Sequence, residues 1–380
     1  MRPAPIYLDY AAAAPLDPRV LNAMQPYLTG VYGNPSSIHS FGQEARRALL
    51  RAREQTAAFI GAAPNEIFFT SGGTESDNWA IRGLAEQARV EGHGTHIVTT
   101  AIEHPAVIET CRCLEQQGFS VAYLPVDAAG RVDPSVVEAA LRDDTVLVSV
   151  MTANNEVGTI QPIAEIGTLA HARGIVFHTD AVQAAGHIPL DAHALNADMI
   201  SFSAHKFCGP KGVGVLYVRR GTGIAPLICG GAQERAMRAG TENIAAIVGC
   251  GAAAEIACSE MQEETVRLRA IMNFLRAKLS GIPDIVFHGH DAARLPGILN
   301  FSIPGIEQDS LLIRLDLAGF AVSAGSACSA GAARPSHVLR AMGISDEDAR
   351  ASIRVSIGRF TLQEDAAAFA ETMLAIVAER

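Results

Sequence analysis

The stretch ISFSAHKFCGPKGVGVLYV (200–218) carries Ser203, His205 and Lys206 from the end of an apolar run into a loop rich in Gly and Pro. A lysine at such a point suits Schiff-base chemistry, because partial desolvation and neighbouring positive groups lower its pKa and free its lone pair. A lone loop lysine is ordinarily just solvated, so its company matters. In GIVFHTDAVQAAG, Asp180 ends a buried-looking run and Gln183 follows three residues on. A carboxylate there can pair with a protonated pyridine nitrogen and the amide can reach a ring hydroxyl, although Asp180 alone could equally cap the next helix.

Three more stretches add to this set. In EIFFTSGGTESDNWAIRGLAEQA, Gly73 and Thr74 follow a strand and open a helix; free amides and the helix dipole there favour a phosphate. Thr74 and Asp77 also read as a plain capping pair. His104 of AIEHPAV can stack on a flat ring and move protons near neutral pH. Asn155 of MTANNEVG can bond a ring hydroxyl, although Asn-Asn commonly marks a turn. All of these residues follow apolar runs, and their convergence points to pyridoxal phosphate. A further nucleophile is Cys328, alone among Gly, Ser and Ala in AVSAGSACSAGAARPSH. Gly325, Gly331 and the serines around it favour a mobile, solvated loop, an unusual place for a lone thiol.

These residues need a scaffold that brings strand ends together. The runs HIVTTA, VLVSVM, GIVFHTDA, MISFSA and GVLYVRR are short, rich in Val and Ile, and mostly separated by helical stretches. That pattern predicts an α/β fold with a largely parallel sheet between helices, and ligands bind beyond the carboxyl ends of such strands. A long amphipathic helix from about Ala257 opens a second, smaller domain. It holds the strands GILNFSI and SIRVSI, the helix QDSLLIRLDLAG and a final helix capped through Thr361 and Glu364. The expected division is 16–257 for a large cofactor-binding domain, with 1–15 and 258–380 forming a small α/β domain.

The 380 residues are 49% hydrophobic with a formal charge of −10 and interspersed signs, so neither a nucleic-acid footprint nor a polybasic membrane patch is expected. No stretch reads as apolar for the length of a bilayer, and the start lacks a signal-peptide pattern, which suggests a cytoplasmic protein. Seven cysteines without paired spacing argue against disulfides and metal sites.

The stretches YLDYAAAAPLDP, GNPSSIHSFG, FTSGGTESDN, EHPAV, NNEVGT, HTDAVQAAG, FSAHKFCGPKGVGVLYVRRG, AGTEN, SAGSACSAG and SIRVSIGRF run through nearly the whole chain in order. Together they resemble the cysteine desulfurases of the NifS and IscS type, in the class V aminotransferase family. The resemblance implies a fold type I pyridoxal phosphate homodimer with sites at the subunit interface, where Thr241 of RAGTEN serves the neighbour's phosphate. It implies that Arg354 clamps the substrate carboxylate, with Asn34 as a second contact. It also implies a reaction. Free L-cysteine displaces Lys206 from the cofactor, the freed amine takes the Cα proton with Asp180 behind the ring, and Cys328 captures the sulfur as a persulfide while alanine leaves. The persulfide would pass to an iron–sulfur scaffold or another acceptor. Selenocysteine lyase, another class V activity and a cofactor-free sulfur-transfer scaffold are the alternatives. Relatives usually carry threonines at Ala13 and Ala14, His at Ala232 and an acid at Arg334.

Overall fold

The computed structural model describes residues 5–324 and 335–379. Seven strands form the main sheet in the order Ile67–Thr70, Gly214–Val218, Met199–Ser203, Val176–Asp180, Thr145–Ser149, His96–Thr100 and Ser120–Leu124. All adjacent pairs are parallel except the two made by Gly214–Val218, which runs against its neighbours. The other six strands therefore share one carboxyl edge, where the residues singled out above emerge. Most of these strands are buried along their whole length, as expected when helices cover both faces. Helices Pro18–Thr29 and Ser40–Phe59 pack on one side with the first half of Ile244–Leu279, and Gly73–Glu91 and Pro105–Glu115 on the other.

A three-stranded antiparallel sheet, Val286–His288, Ile298–Ser302 and Ser352–Ser356, builds a second core with helices Gln308–Leu317 and Gln363–Ala378. The N-terminal strand Ile6–Tyr7 pairs in parallel with Phe320–Ala321, and Leu8 is buried in this second core. The helix Ile244–Leu279 joins the two cores. Ile244 to Ala257 contribute to the first and Leu268 to Leu279 to the second. It starts 13 residues before the amphipathic pattern, because IAAIVGCGAAAE is small and apolar on every face and shows no helical stripe. Those small residues permit close packing. A Cβ on Gly249 would lie 2.6 Å from Met24 Sδ, and one on Gly251 2.8 Å from Ala52 Cα.

This helix also corrects the membrane reading, since one 18-residue window in it is apolar enough to span a bilayer. The window is 56% buried inside the protein, as befits a core helix. The last helix starts at Gln363 rather than through a Thr361–Glu364 cap. Asp365 accepts the Leu362 amide at 2.8 Å, and Thr361 Oγ1 accepts from Gly358 N at 3.1 Å instead.

Candidate active site

A cavity of about 230 Å3 opens at the carboxyl edge of the main sheet. Nine of the residues picked from the sequence line it: Gly73, Thr74, His104, Asn155, Asp180, Gln183, Ser203, His205 and Lys206. Arg354 reaches it from the small sheet.

The phosphate-type turn sits between the edge strand Ile67–Thr70 and the helix Gly73–Glu91. An edge strand leaves backbone groups without a strand partner. Here Arg53 donates to Ile67 O at 2.6 Å, Glu234 accepts from Phe69 N at 3.0 Å, and the two side chains form a buried pair at 2.6 Å. That pins the turn. A Cβ on Gly73 would stand 2.6 Å from Val182 Cγ2, and one on Gly214 2.4 Å from the Gly72 carbonyl carbon, so the backbone can lie this close only as glycine. The expected Thr74–Asp77 capping pair does not form. Gly72 is the N-cap with no side-chain bond, and Asp77 turns inward to line the cavity.

Asp180 closes the floor. Its Oδ1 accepts from Val182 N at 2.8 Å, so the local turn and the cavity position hold together. Burial pushes its carboxyl above the usual range, while His104 and Lys206 oppose the shift. Burial, followed by the charge of Asp180, pushes Asp77 well up too, and Asp77 Oδ1 has no hydrogen-bond partner among the described residues. Behind them His178 bonds Ser149 and Ser201 at 2.9 Å, and burial pulls it down to about 3, so it is neutral.

His104 caps the helix Pro105–Glu115, with Nδ1 accepting from Ala106 N at 3.1 Å. Burial lowers its pKa, which leaves a neutral ring protonated at Nε2 as the atom for proton work. The Asn-Asn ambiguity resolves into two roles. Asn154 Oδ1 accepts from Glu156 N and Val157 N at 2.8 and 3.1 Å and organises the turn, while Asn155 faces the cavity.

Lys206 lies on the 3-10 turn Ala204–Lys206, and its Nζ donates to Ala11 O at 2.6 Å and Ala12 O at 2.9 Å. Gln183 Nε2 also donates to Ala11 O, at 2.8 Å. Ser203 Oγ and His205 Nδ1 are 2.8 Å apart, and burial, with the charge of Lys206, pulls His205 down to about 4. Cys208 is buried against Tyr10 and Ala14 and its thiol is pushed up to about 12, which makes it an inert core sulfur.

Arg354 is 1% exposed. Nη1 donates to Asn155 O at 2.9 Å, Nη2 to Asp9 Oδ1 at 2.8 Å, and Nε has no partner among the described residues. The guanidinium is thus fixed in place with donors left for an anion. Asn34 lies on an exposed turn, where its Oδ1 accepts from Ser36 N at 2.9 Å, and it does not line the cavity. Thr241 is exposed on the loop that Arg238 ties to Glu75 at 2.9 Å. Cys328 and Arg334 lie outside the described residues.

Sequence reasoning missed Asp77, Asp9 and the carbonyls of Ala11 and Ala12. Asp77 carried a signal, a carboxylate one helical turn past two glycines, but backbone carbonyls carry none.

The class V aminotransferase model matches residues 6–369. The chain belongs to that family. It is 52% identical to the cysteine desulfurase IscS of Dictyoglomus turgidum over 95% of this chain and 91% of that one. It is 48% identical to the human cysteine desulfurase over 95% of this chain and 79% of that one. Among solved structures, a NifS-like protein superposes with a TM-score of 0.93 at 39% identity, covering 99% of this chain and 100% of that one. One described as SspA in complex with cysteine gives 0.81 at 37% identity, covering 94% and 100%.

The family uses pyridoxal phosphate, and the site fits it. The glycine turn leaves amides open to an anion. The buried Asp180 carboxyl gains from a cation brought beside it, which a protonated pyridine nitrogen supplies.

Proposed function

We infer that the protein is a pyridoxal phosphate-dependent cysteine desulfurase, which takes the sulfur of L-cysteine onto Cys328, releases L-alanine and passes the persulfide to an acceptor. The observation that carries this reading is one cavity holding the Lys206 amine, the buried Asp180 carboxyl, the glycine turn and the Arg354 guanidinium together.

When bound, pyridoxal phosphate supplies an aldehyde for the amino group and a ring that withdraws electrons from Cα. Gly73, Thr74, Ser203 and His205 would hold its phosphate, Asn155 and Gln183 its hydroxyl, and His104 its face. Asp180 would keep the ring nitrogen protonated. Lys206 would hold the aldehyde group through Nζ and would serve as the base for the Cα proton, with the carbonyls of Ala11 and Ala12 to steady its ammonium. Arg354 binds the carboxylate of cysteine and so orients its sulfur away from the floor.

Cys328 is the fifth residue after Ser323 and the eighth before Ser336. Ser323 is bridged to Arg354 by backbone bonds of 2.7 and 3.2 Å. Five residues extend at most about 18 Å. Chain length therefore bounds how far this thiol can lie from Arg354.

We also propose a homodimer in which the exposed Thr241 serves the neighbour's phosphate, and a cytoplasmic setting, which suits the free thiols Cys113, Cys229 and Cys258 on the surface. The acceptor is an iron–sulfur scaffold or another sulfur-accepting protein.

The test is Cys328→Ala. Sulfur release from cysteine should vanish, no persulfide should form, and cysteine should still change the cofactor's visible spectrum. Retained sulfur release would overturn the reading. Retained cleavage of selenocysteine alone would favour a lyase.

A further inference from the structure

The segment that follows the Cys328 loop is fastened to the cavity by contacts the reaction above does not use. Ser336 Oγ donates to Glu156 Oε2 at 2.5 Å and accepts from Leu339 N at 3.2 Å, so one hydroxyl both caps a helical turn and ties it down. His337 Nε2 donates to the Glu103 carbonyl at 3.0 Å. Val338, Leu339 and Met342 then pack against Ile102, Met151 and Val157 in a cluster separate from both main cores. Glu156 follows Asn155, and Glu103 precedes His104, so the two acceptors sit on the strand-end loops that carry cavity residues. Glu156 is 1% exposed, a poor place for a carboxylate unless it is hydrogen-bonded.

We propose that Ser336, Glu156 and His337 are positioning residues for the sulfur-accepting step, fixing the chain on the C-terminal side of Cys328 against the loops of Asn155 and His104. The inference rests on Cys328 as the acceptor of sulfur. With Ser323 held on Arg354 and Ser336 held on Glu156, both ends of the intervening chain are anchored at the cavity. That restriction raises the local concentration of the thiol at its target without contacting substrate.

The experiment uses the holoenzyme and follows persulfide on the Cys328 peptide by mass spectrometry after mixing with saturating cysteine. Cysteine binding is read separately from the change in the visible spectrum. Ser336→Ala should slow persulfide formation roughly tenfold, as expected for a lost buried hydrogen bond, while the half-saturating cysteine concentration moves less than about twofold. Ser336→Thr, which keeps the hydroxyl, should restore the rate. Glu156→Gln, which keeps an acceptor without the charge, should fall between, and it carries the test if Ser336→Ala does not fold. Wild-type rates in these variants would overturn the proposal, as would a parallel loss of cysteine affinity. Wild-type enzyme that releases sulfur with no persulfide on Cys328 would instead overturn the role of Cys328, and this proposal with it.

Discussion

The floor and the wall of the cavity are built in different ways. The floor comes from consecutive strand ends of one sheet, each a few residues past its strand, and its titratable groups Asp77, Asp180, Glu103 and His178 are at most 5% exposed. The wall comes from far along the chain. Arg354 meets Asp9 and Ser356 meets Ala11 across 345 residues, and Ser336 meets Glu156 across 180. In the proposed reading, the floor would act on a ring and its phosphate, with burial setting the protonation of its groups, and the wall would meet the substrate. Electron-sink chemistry would then rest on the sheet edge, substrate recognition on how the second core docks, and sulfur capture on the separate cluster of Val338, Leu339 and Met342.

Lys206→Ala gives the largest expected effect. It removes the floor's reactive amine, so sulfur release should fall by at least about a thousandfold, in the range typical of lost acid–base groups. The visible band of the holoenzyme should change with it, and a retained band with retained activity would place the chemistry elsewhere. Arg354→Lys strikes the wall. It loses the forked donor geometry, and the half-saturating cysteine concentration should rise roughly 10- to 100-fold with less change in turnover. A fall in turnover alone would move Arg354 from binding to chemistry.

Gly214→Ala presses on the floor from behind, where its Cβ would meet the Gly72 backbone at 2.4 Å. Cofactor retention after dialysis should weaken roughly tenfold, since overpacking costs about 1–3 kcal/mol. Unchanged retention would mean the glycine turn does not bear the phosphate.

Glu103 acts on stability alone. Burial pushes its carboxyl up from 4.5 to about 8, against bonds from Thr100 and Met151. The folded state then keeps a proton that the unfolded chain releases. The stability linked to Glu103 is fully present below pH 4.5 and is lost as pH rises toward 8, at up to about 1.4 kcal/mol per pH unit. Glu103→Gln should flatten the denaturation midpoint over that window, and an identical pH slope would show that Glu103 is ionised in the fold.

The same division explains what the sequence revealed. Lys206, Asp180, His104 and Asn155 were legible because in a parallel sheet each residue just after a strand shares one edge with the others. Asp77 was misread because its spacing from Thr74 also matches a cap, and only the structure shows Gly72 taking that position. Asp9, Ala11, Glu156 and Ser336 were not legible as a site, because partners 180 to 345 residues apart leave no local period. The first half of the helix Ile244–Leu279 was missed for a different reason: a helix buried all round has no polar face to mark it.

The carbonyls of Ala11 and Ala12 that grip Lys206 are made long before Ser356, which bonds Ala11 across 345 residues. At about 5–20 residues per second, the ribosome needs roughly 20–70 s to bring the two ends within range. During that interval the N-terminal strand waits without its partner Phe320–Ala321. A nascent chain stalled before residue 320 would thus lack both Ser356, which bonds Ala11, and the strand that pairs with Ile6–Tyr7.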